Sequence, residues 1–407
     1  MAVNRAETRI PQLAQIQRIA LIVGGVALVA SVLGALLSGT TQFFQSYLFA
    51  YLYWMLPTFG SLGLLMLQYL TGGRWGQTLR RFFEAGAANF ALMAVLFLPL
   101  LLGLSELYPW ARPEVVAENE IVAHRTPYLN VPFFLGRTVL YFIVWGGLTY
   151  LLRSWSMQQD RTNNPSFTRR LGTLSGPGIV AFVLTLSFAA FDWGMSTEEV
   201  WFSTIYGVIF LVSSGLVTFS LSSIMLALLR RTQPLARIAS PGRFHDIGSL
   251  MFAFTVLWAY VGFSQFLITW SANLVEEVTF YVHRTKGGWE WIAYSLMAFQ
   301  FALPFLVLLS RRTKRSPQRL PIIAALILVM QTVYIFWNIA PSFHTEQFSI
   351  SWLDFVSWLA IGGLWLGLYA WWLQRRPLVA PNDPRMPSML NPRHEDSFEH
   401  EMRKSHA

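Results

Sequence analysis

The chain has 407 residues, of which 54% are hydrophobic and only 13% charged, with a net charge of +9 at pH 7. Soluble domains carry roughly 25% charged residues, so the composition excludes a water-solvated globule and makes lipid the main solvent. Cysteine is absent, which excludes disulfides, thiolate iron–sulfur ligation and covalent c-type haem within this chain.

Taken in order, residues 1–18 form an N-terminal arm carrying Arg5, Arg9 and Arg18. Ten apolar runs follow, at 19–37, 48–70, 85–104, 132–152, 171–191, 200–229, 247–274, 291–310, 320–340 and 355–374. Each is close to the roughly 20 residues that cross ~30 Å of hydrocarbon. Their length and lack of strict alternation predict helices, which satisfy their own backbone hydrogen bonds in lipid. The predicted fold is therefore an all-α polytopic membrane protein, with spans 1–5 in residues 19–199 and spans 6–10 in residues 200–376. Gly176, Pro177 and Gly178 interrupt the start of the fifth run. The first run is long for a signal-peptide core and lacks a small-x-small cleavage site after it, so it reads as a membrane helix. The tail, 377–407, sets five prolines (Pro377, Pro381, Pro384, Pro387, Pro392) among charged residues and is predicted extended or disordered.

Loop charge alternates with the spans. Arginines and lysines fill every second connection, beginning with the N-terminal arm. Of the 30, all but Arg112, Arg125, Arg137, Arg284 and Lys286 fall on one side. A missed or invented helix would scramble that alternation, so it predicts ten spans with both termini in the cytoplasm. The basic excess that would suggest nucleic acid in a soluble protein is thereby assigned to orientation in a bilayer. Glu114, Glu118, Glu120, Asp192, Glu198, Glu199, Glu276, Glu277 and Glu346 collect on the opposite side.

No histidine lies near the middle of a span, which argues against b-type haem, and no phosphate-binding glycine loop is present. What remains is polar chemistry in lipid, where an ionisable group costs at least ~2.5–3.5 kcal/mol at midplane. Arg137, about one and a half turns into the fourth span, can snorkel to headgroups or pair with a carboxylate such as Asp192 or Glu277 beside a proton path or quinone headgroup. Asp192 is equally a helix-ending interfacial acid. His245 and Asp246 begin the seventh span and Glu84 the third, where an acid can complement a helix N-terminus. Acids at both mouths of a helix pair would suit two proton half-channels, and chance helix ends would give the same pattern. Tyr206, Ser213 and Ser220 share one face of the sixth span, and Tyr260 and Ser264 are four apart on the seventh. Such stripes serve as packing glue or as a proton wire. Gly363 and Gly367 in "GGLWLG" predict a close helix contact, within this chain or with another subunit.

Three stretches, "FDWGMSTEEVWFSTIYG", "HDIGSLMFAFTVLWAYVGFSQFLITWSANLVEEVTFYVHR" and "SWLDFVSWLAIGGLW", resemble the ActF subunit family of bacterial alternative complex III. That family lies within the wider NrfD-like, polysulfide-reductase-type membrane subunits. The resemblance covers roughly Phe188 to Trp365. It departs where the family carries Pro-His before "WFST": here the place reads Glu199-Val200, so no histidine role transfers, and Glu199 is the only substitute. The resemblance implies two four-helix bundles, spans 2–5 and 6–9, flanked by the first and last spans. It implies a cofactor-free subunit of a quinol:electron acceptor oxidoreductase in the bacterial cytoplasmic membrane, giving assembly and proton conduction. The quinol, menaquinol among the options, would be oxidised in a sister NrfD-like subunit. An iron–sulfur subunit and haem c subunits would pass electrons to a soluble cytochrome c, a blue copper protein or a terminal oxidase. Asp192, His245, Asp246, Glu276, Glu277 and His283 match the family's polar positions. Two other readings stand beside it: the quinol-binding anchor of a molybdopterin-type reductase, and a ten-helix secondary transporter.

Overall fold

A computed structural model describes residues 10–162 and 164–386. Among them are ten helices long and apolar enough to cross a membrane: Pro11–Ser38, Thr40–Thr71, Arg74–Leu102, Val131–Thr162, Ser166–Thr197, Tyr206–Leu229, Pro241–Ala272, Trp289–Leu309, Leu320–Ser342 and Trp352–Gln374. Each apolar run of the sequence falls on one of them. Several helices overshoot their runs; at 1.5 Å per residue a 32-residue helix reaches about 48 Å, so its polar ends clear the hydrocarbon. The first helix begins at Pro11, so residues 11–18 are helix rather than arm, and Leu13 is buried. Residues 1–9, with Arg5 and Arg9, lie outside the described residues. The sixth helix begins at Tyr206 rather than 200, leaving "VWFST" in the connection before it.

Spans two to five pack around one another, and so do six to nine. The second span is the most buried of the ten and touches the third, fifth, sixth and tenth. Its contact with the sixth is backbone to backbone: a Cβ on Gly60 would sit 2.1 Å from the Ser214 carbonyl oxygen. Pro57, inside the same helix, takes a hydroxyl from Ser61 at 2.6 Å and from Thr218 of the sixth span at 3.3 Å on its carbonyl. The first and tenth spans pair along a seam of small residues. Ser31 and Ser357 place their hydroxyls 2.9 Å apart. A Cβ on Gly363 would lie 2.5 Å from the Gly24 Cα. The close contact foreseen for Gly363 is therefore made within this chain.

Two spans are irregular near their middles. The third breaks between Ala87 and Phe90, where Asn89 turns its side-chain amide to the Trp365 carbonyl at 3.0 Å. The eighth runs as a π-helix over Leu296–Ala302. Pro304 follows closely; it lacks an N–H and its ring disfavours the normal i−4 register, which suits a widened turn there. By contrast Pro177 sits inside an unbroken helix, Ser166–Trp193.

The tail departs from expectation over its first ten residues. Residues 377–386 are irregular, as their prolines require, yet Leu378, Val379, Ala380, Asp383 and Met386 are buried. The rest of the tail, with Pro387, Pro392 and the remaining charges, lies outside the described residues. The end of the molecule that carries Arg80, Arg230 and Arg311 is called the basic end below, and the other the far end.

Candidate functional site

At the far end of the first bundle, Arg137 and Asp192 form a two-pronged ion pair. Arg137 lies late in its helix's second turn and Asp192 is the next-to-last residue of the helix Ser166–Trp193. Arg137 Nε and Nη2 each donate to Asp192 at 2.9 Å, and Nη1 donates to the Tyr128 carbonyl at 2.8 Å. The guanidinium also lies 3.8 Å from the Tyr128 ring centre and 4.4 Å from that of Phe133. Tyr141 donates its hydroxyl to Asp192 Oδ2 at 2.7 Å. Asp192 is fully buried, so Arg137 is turned inward rather than snorkelling, and its partner is Asp192 and not Glu277. Burial, with the Asp192 carboxylate adding to it, pushes the Tyr128 phenol up to about 12 and Tyr108 in the same direction. Both phenols keep their protons at neutral pH.

A second far-end pair belongs to the other bundle. Arg284, fully buried at the end of the short helix Val275–Arg284, donates to Glu198 Oε1 at 2.8 Å. It also donates to the Asn338, Trp337 and Phe280 carbonyls, and its guanidinium carbon lies 3.5 Å from the Phe280 ring centre. Ser342 donates to the same Glu198 oxygen at 2.7 Å. Burial holds the Arg284 guanidinium below its usual range, and Glu198 offsets part of that. Glu199, the substitute considered at the family's histidine position, is exposed; only its carbonyl is engaged, by Arg125 at 3.1 Å. Arg125 also reaches the Val200 carbonyl. Three of the five cations on the acidic side, Arg125, Arg137 and Arg284, thus converge on residues 192–200. Those exceptions to the charge alternation were the sequence signal that could have found Arg284.

At the basic end of the first bundle, Glu84 joins a buried network. The third span begins eleven residues earlier than its apolar run suggested, so Glu84 lies in the third turn of Arg74–Ala87 rather than at a helix start. The complement to a helix N-terminus does not apply. Instead Glu84 accepts from Arg80 Nε at 3.0 Å, Arg81 at 2.6 Å, Arg376 at 2.9 Å and the Ser156 hydroxyl at 2.6 Å. Arg80 extends to Ser156, Gln159 and Asp383, the last at 2.7 Å, and Arg81 to Asp160. Asp160 and Asp383 were not foreseen. The first lies past the end of its apolar run and the second in a segment read as unstructured.

One face of the fourth span joins these two clusters. Its buried positions include Arg137, Tyr141, Trp145, Thr149, Leu152, Ser156 and Gln159. From Tyr141 to Ser156 is about 22 Å along the helix, at 1.5 Å per residue. Between them Trp145 donates to the Thr185 hydroxyl at 2.9 Å and packs on the rings of Phe59 and Phe90. The bundle is charged at both ends and aromatic in the middle.

Other candidates lie apart from these clusters. His245 and Asp246 are half-buried at the basic end of the seventh span, Asp246 being 3.8 Å from Arg243. At the far end Glu276 is exposed, and Glu277 and His283 are partly buried on the helix that carries Arg284. Tyr206 is buried against Trp201 and Phe210, and Ser213 is buried one face below. Tyr260 and Ser264 do not join that interior. Tyr260 is 66% exposed and the Ser264 hydroxyl returns to its carbonyl, because the buried face of the span carries Met251, Thr255, Val261 and Gln265. Among the described residues no three His, Asp or Glu side chains come together as a metal site. In comparisons with known proteins, no protein-family model and no curated sequence matches the chain.

Proposed function

We propose that this chain is a cofactor-free membrane subunit of a quinol-oxidising electron-transfer complex of the alternative complex III type, with its basic end in the bacterial cytoplasm. One observation carries the reading: two buried carboxylate–arginine clusters, Arg137–Asp192–Tyr141 and Arg80–Arg81–Glu84, occupy opposite ends of a single four-helix bundle. Buried ionisable groups in a membrane span are costly and mark proton or substrate routes. Here each carboxylate accepts hydrogen bonds from guanidinium and hydroxyl donors, Asp192 from Arg137 and Tyr141 and Glu84 from Arg80, Arg81 and Ser156. Asp192 then serves the outer mouth and Glu84 the inner. The chain supplies side-chain protons and contacts, while quinol oxidation belongs to a sister NrfD-like subunit and electron transfer to iron–sulfur and haem c subunits.

The test has two arms. A tagged full chain purified from its native membrane should bring c-type haem absorption and iron–sulfur signals with it; a colourless, self-sufficient protein sinks the assignment. Within the purified complex, Asp192→Asn and Glu84→Gln should each lower quinol turnover and proton release. Unchanged rates of both would end the proton role.

A second reading, a secondary transporter, is favoured by the irregular backbone at Ala88–Asn89 and over Leu296–Ala302, near the middles of the third and eighth spans. Interrupted spans at corresponding places in two halves point to midplane binding sites in such proteins. The colourless outcome above would select it.

A further inference from the structure

Several interior polar groups of the second bundle have no hydrogen-bond partner in the protein. Ser213 in the sixth span, Gln265 in the seventh, Gln300 in the eighth and Gln331 in the ninth are each at least 96% buried. The Ser213 hydroxyl, the Gln265 carbonyl oxygen and both amide atoms of Gln300 and Gln331 have no hydrogen-bond partner in the protein. Measured from the far ends of their helices at 1.5 Å per residue, the four lie at about 10 to 16 Å. They come one from each span and lie within about 6 Å of one another in depth, little more than one helical turn. The sixth span packs on the seventh and ninth, and the eighth on the same two, so the four surround a common axis. About 21 Å down, the Ser220 hydroxyl and the Trp258 indole N–H are also without partners.

Nearly all buried polar groups in proteins find a partner in the protein or in ordered water. One orphan is a local exception; one from each of four helices at similar depth is a site. Its chemistry restricts the occupant. No Asp, Glu, Lys, Arg or His lies in residues 206–229, 247–272, 291–309 or 320–342, so the occupant is uncharged. It must donate to the Gln265 carbonyl oxygen and accept from amide N–H groups, and it must be small enough for a packed four-helix interior. Water meets all three conditions. The π-helix that carries Gln300 widens the backbone at this level.

We propose that the second bundle encloses a cluster of internal waters bound by Ser213, Gln265, Gln300 and Gln331, continuing to Ser220 and Trp258. The site lies outside the route assigned above, which runs through the first bundle. At mid-depth that bundle packs Trp145 with Phe59, Phe90 and Phe182, and its unpaired atoms there, Asn89 Oδ1 and Thr149 Oγ1, come from two of its spans.

X-ray radiolytic footprinting of the full chain in lipid nanodiscs tests this, because a buried side chain is hydroxylated efficiently only when a bound water lies beside it. Tyr334, one turn from Gln331 and 6% exposed, is the reporter; Trp145, fully buried in the first bundle, is the reference. Tyr334 should label several-fold faster than Trp145, and Q300L/Q331L should bring it down to the Trp145 rate. Equal labelling of the two in the unaltered chain, or a Tyr334 rate unmoved by Q300L/Q331L, overturns the proposal. If that double variant does not fold, the single Q331L gives a second reading through its melting temperature. A water-bonded amide loses partners on replacement, so Tm stays level or falls; a rise marks a dry, unpaired amide and also overturns the proposal.

Discussion

Asp192 accepts two bonds from Arg137 and one from Tyr141 in a site closed to solvent. Removing one partner of such a pair leaves an uncompensated charge in a low-dielectric interior, which costs about 3–5 kcal/mol. Asp192→Ala is therefore expected to lower stability by roughly that amount, while R137M/D192L, which removes both charges, recovers most of the loss. Denaturant unfolding in detergent micelles measures both. The same logic separates two neighbouring acids. Glu198→Ala strips the counter-charge from a fully buried Arg284 and is expected to destabilise strongly. Glu199→Ala, on an exposed side chain whose carbonyl alone is bound, should stay within about 0.5 kcal/mol. Equal effects at 198 and 199 would contradict this geometry. Which of two adjacent acids turns inward was not legible in the sequence, because the choice is made by Arg284, more than eighty residues away in the chain. The Arg137–Asp192 pair was among the sequence options, since both sit at the same end of consecutive spans.

At the scale of helices, run length and apolar content gave all ten spans, because lipid leaves the backbone no alternative to internal hydrogen bonding. Their irregularities were hidden. Pro177 advertises a break that does not occur, whereas the real break at Ala88–Asn89 carries no proline and depends on a bond from Asn89 to the tenth span. Interior and exterior faces were likewise poorly marked: Tyr260, well inside the seventh span, points outward, so polarity alone does not give the inward face. The pairing of first and tenth spans rests on close backbone approach, which small residues permit and bulky ones forbid. Because the chain has no cysteine, an engineered pair reports this contact without background. S31C/S357C, replacing hydroxyls 2.9 Å apart, should form an intramolecular disulfide visible on non-reducing gels. Adding G363L, whose side chain would drive into Gly24, should abolish most of it. Undiminished cross-linking in the triple variant would show that the seam is held elsewhere.

For the molecule as a whole, charge does two jobs that the sequence blurred together. Most arginines crowd the basic end, as topology requires, but some are structural. Arg80, Arg81 and Arg376 surround Glu84, and Asp383 folds back onto Arg80, so the tail seals the basic end of the first bundle. Proline-rich composition concealed that packing, because it reports the lack of regular structure and not the lack of contacts. Orientation in the bilayer is the remaining global property, and the expectation for it rests on the alternation alone. Glu199 at the far end and Gln318 at the basic end are both exposed, and each can be made the chain's single cysteine. In sealed right-side-out membrane vesicles, a membrane-impermeant maleimide should label E199C at once and Q318C only after permeabilisation. The reverse order would place the basic end outside. It would also exchange the mouths served by Asp192 and Glu84, so that the carboxylate assigned to proton release would face the compartment that supplies protons.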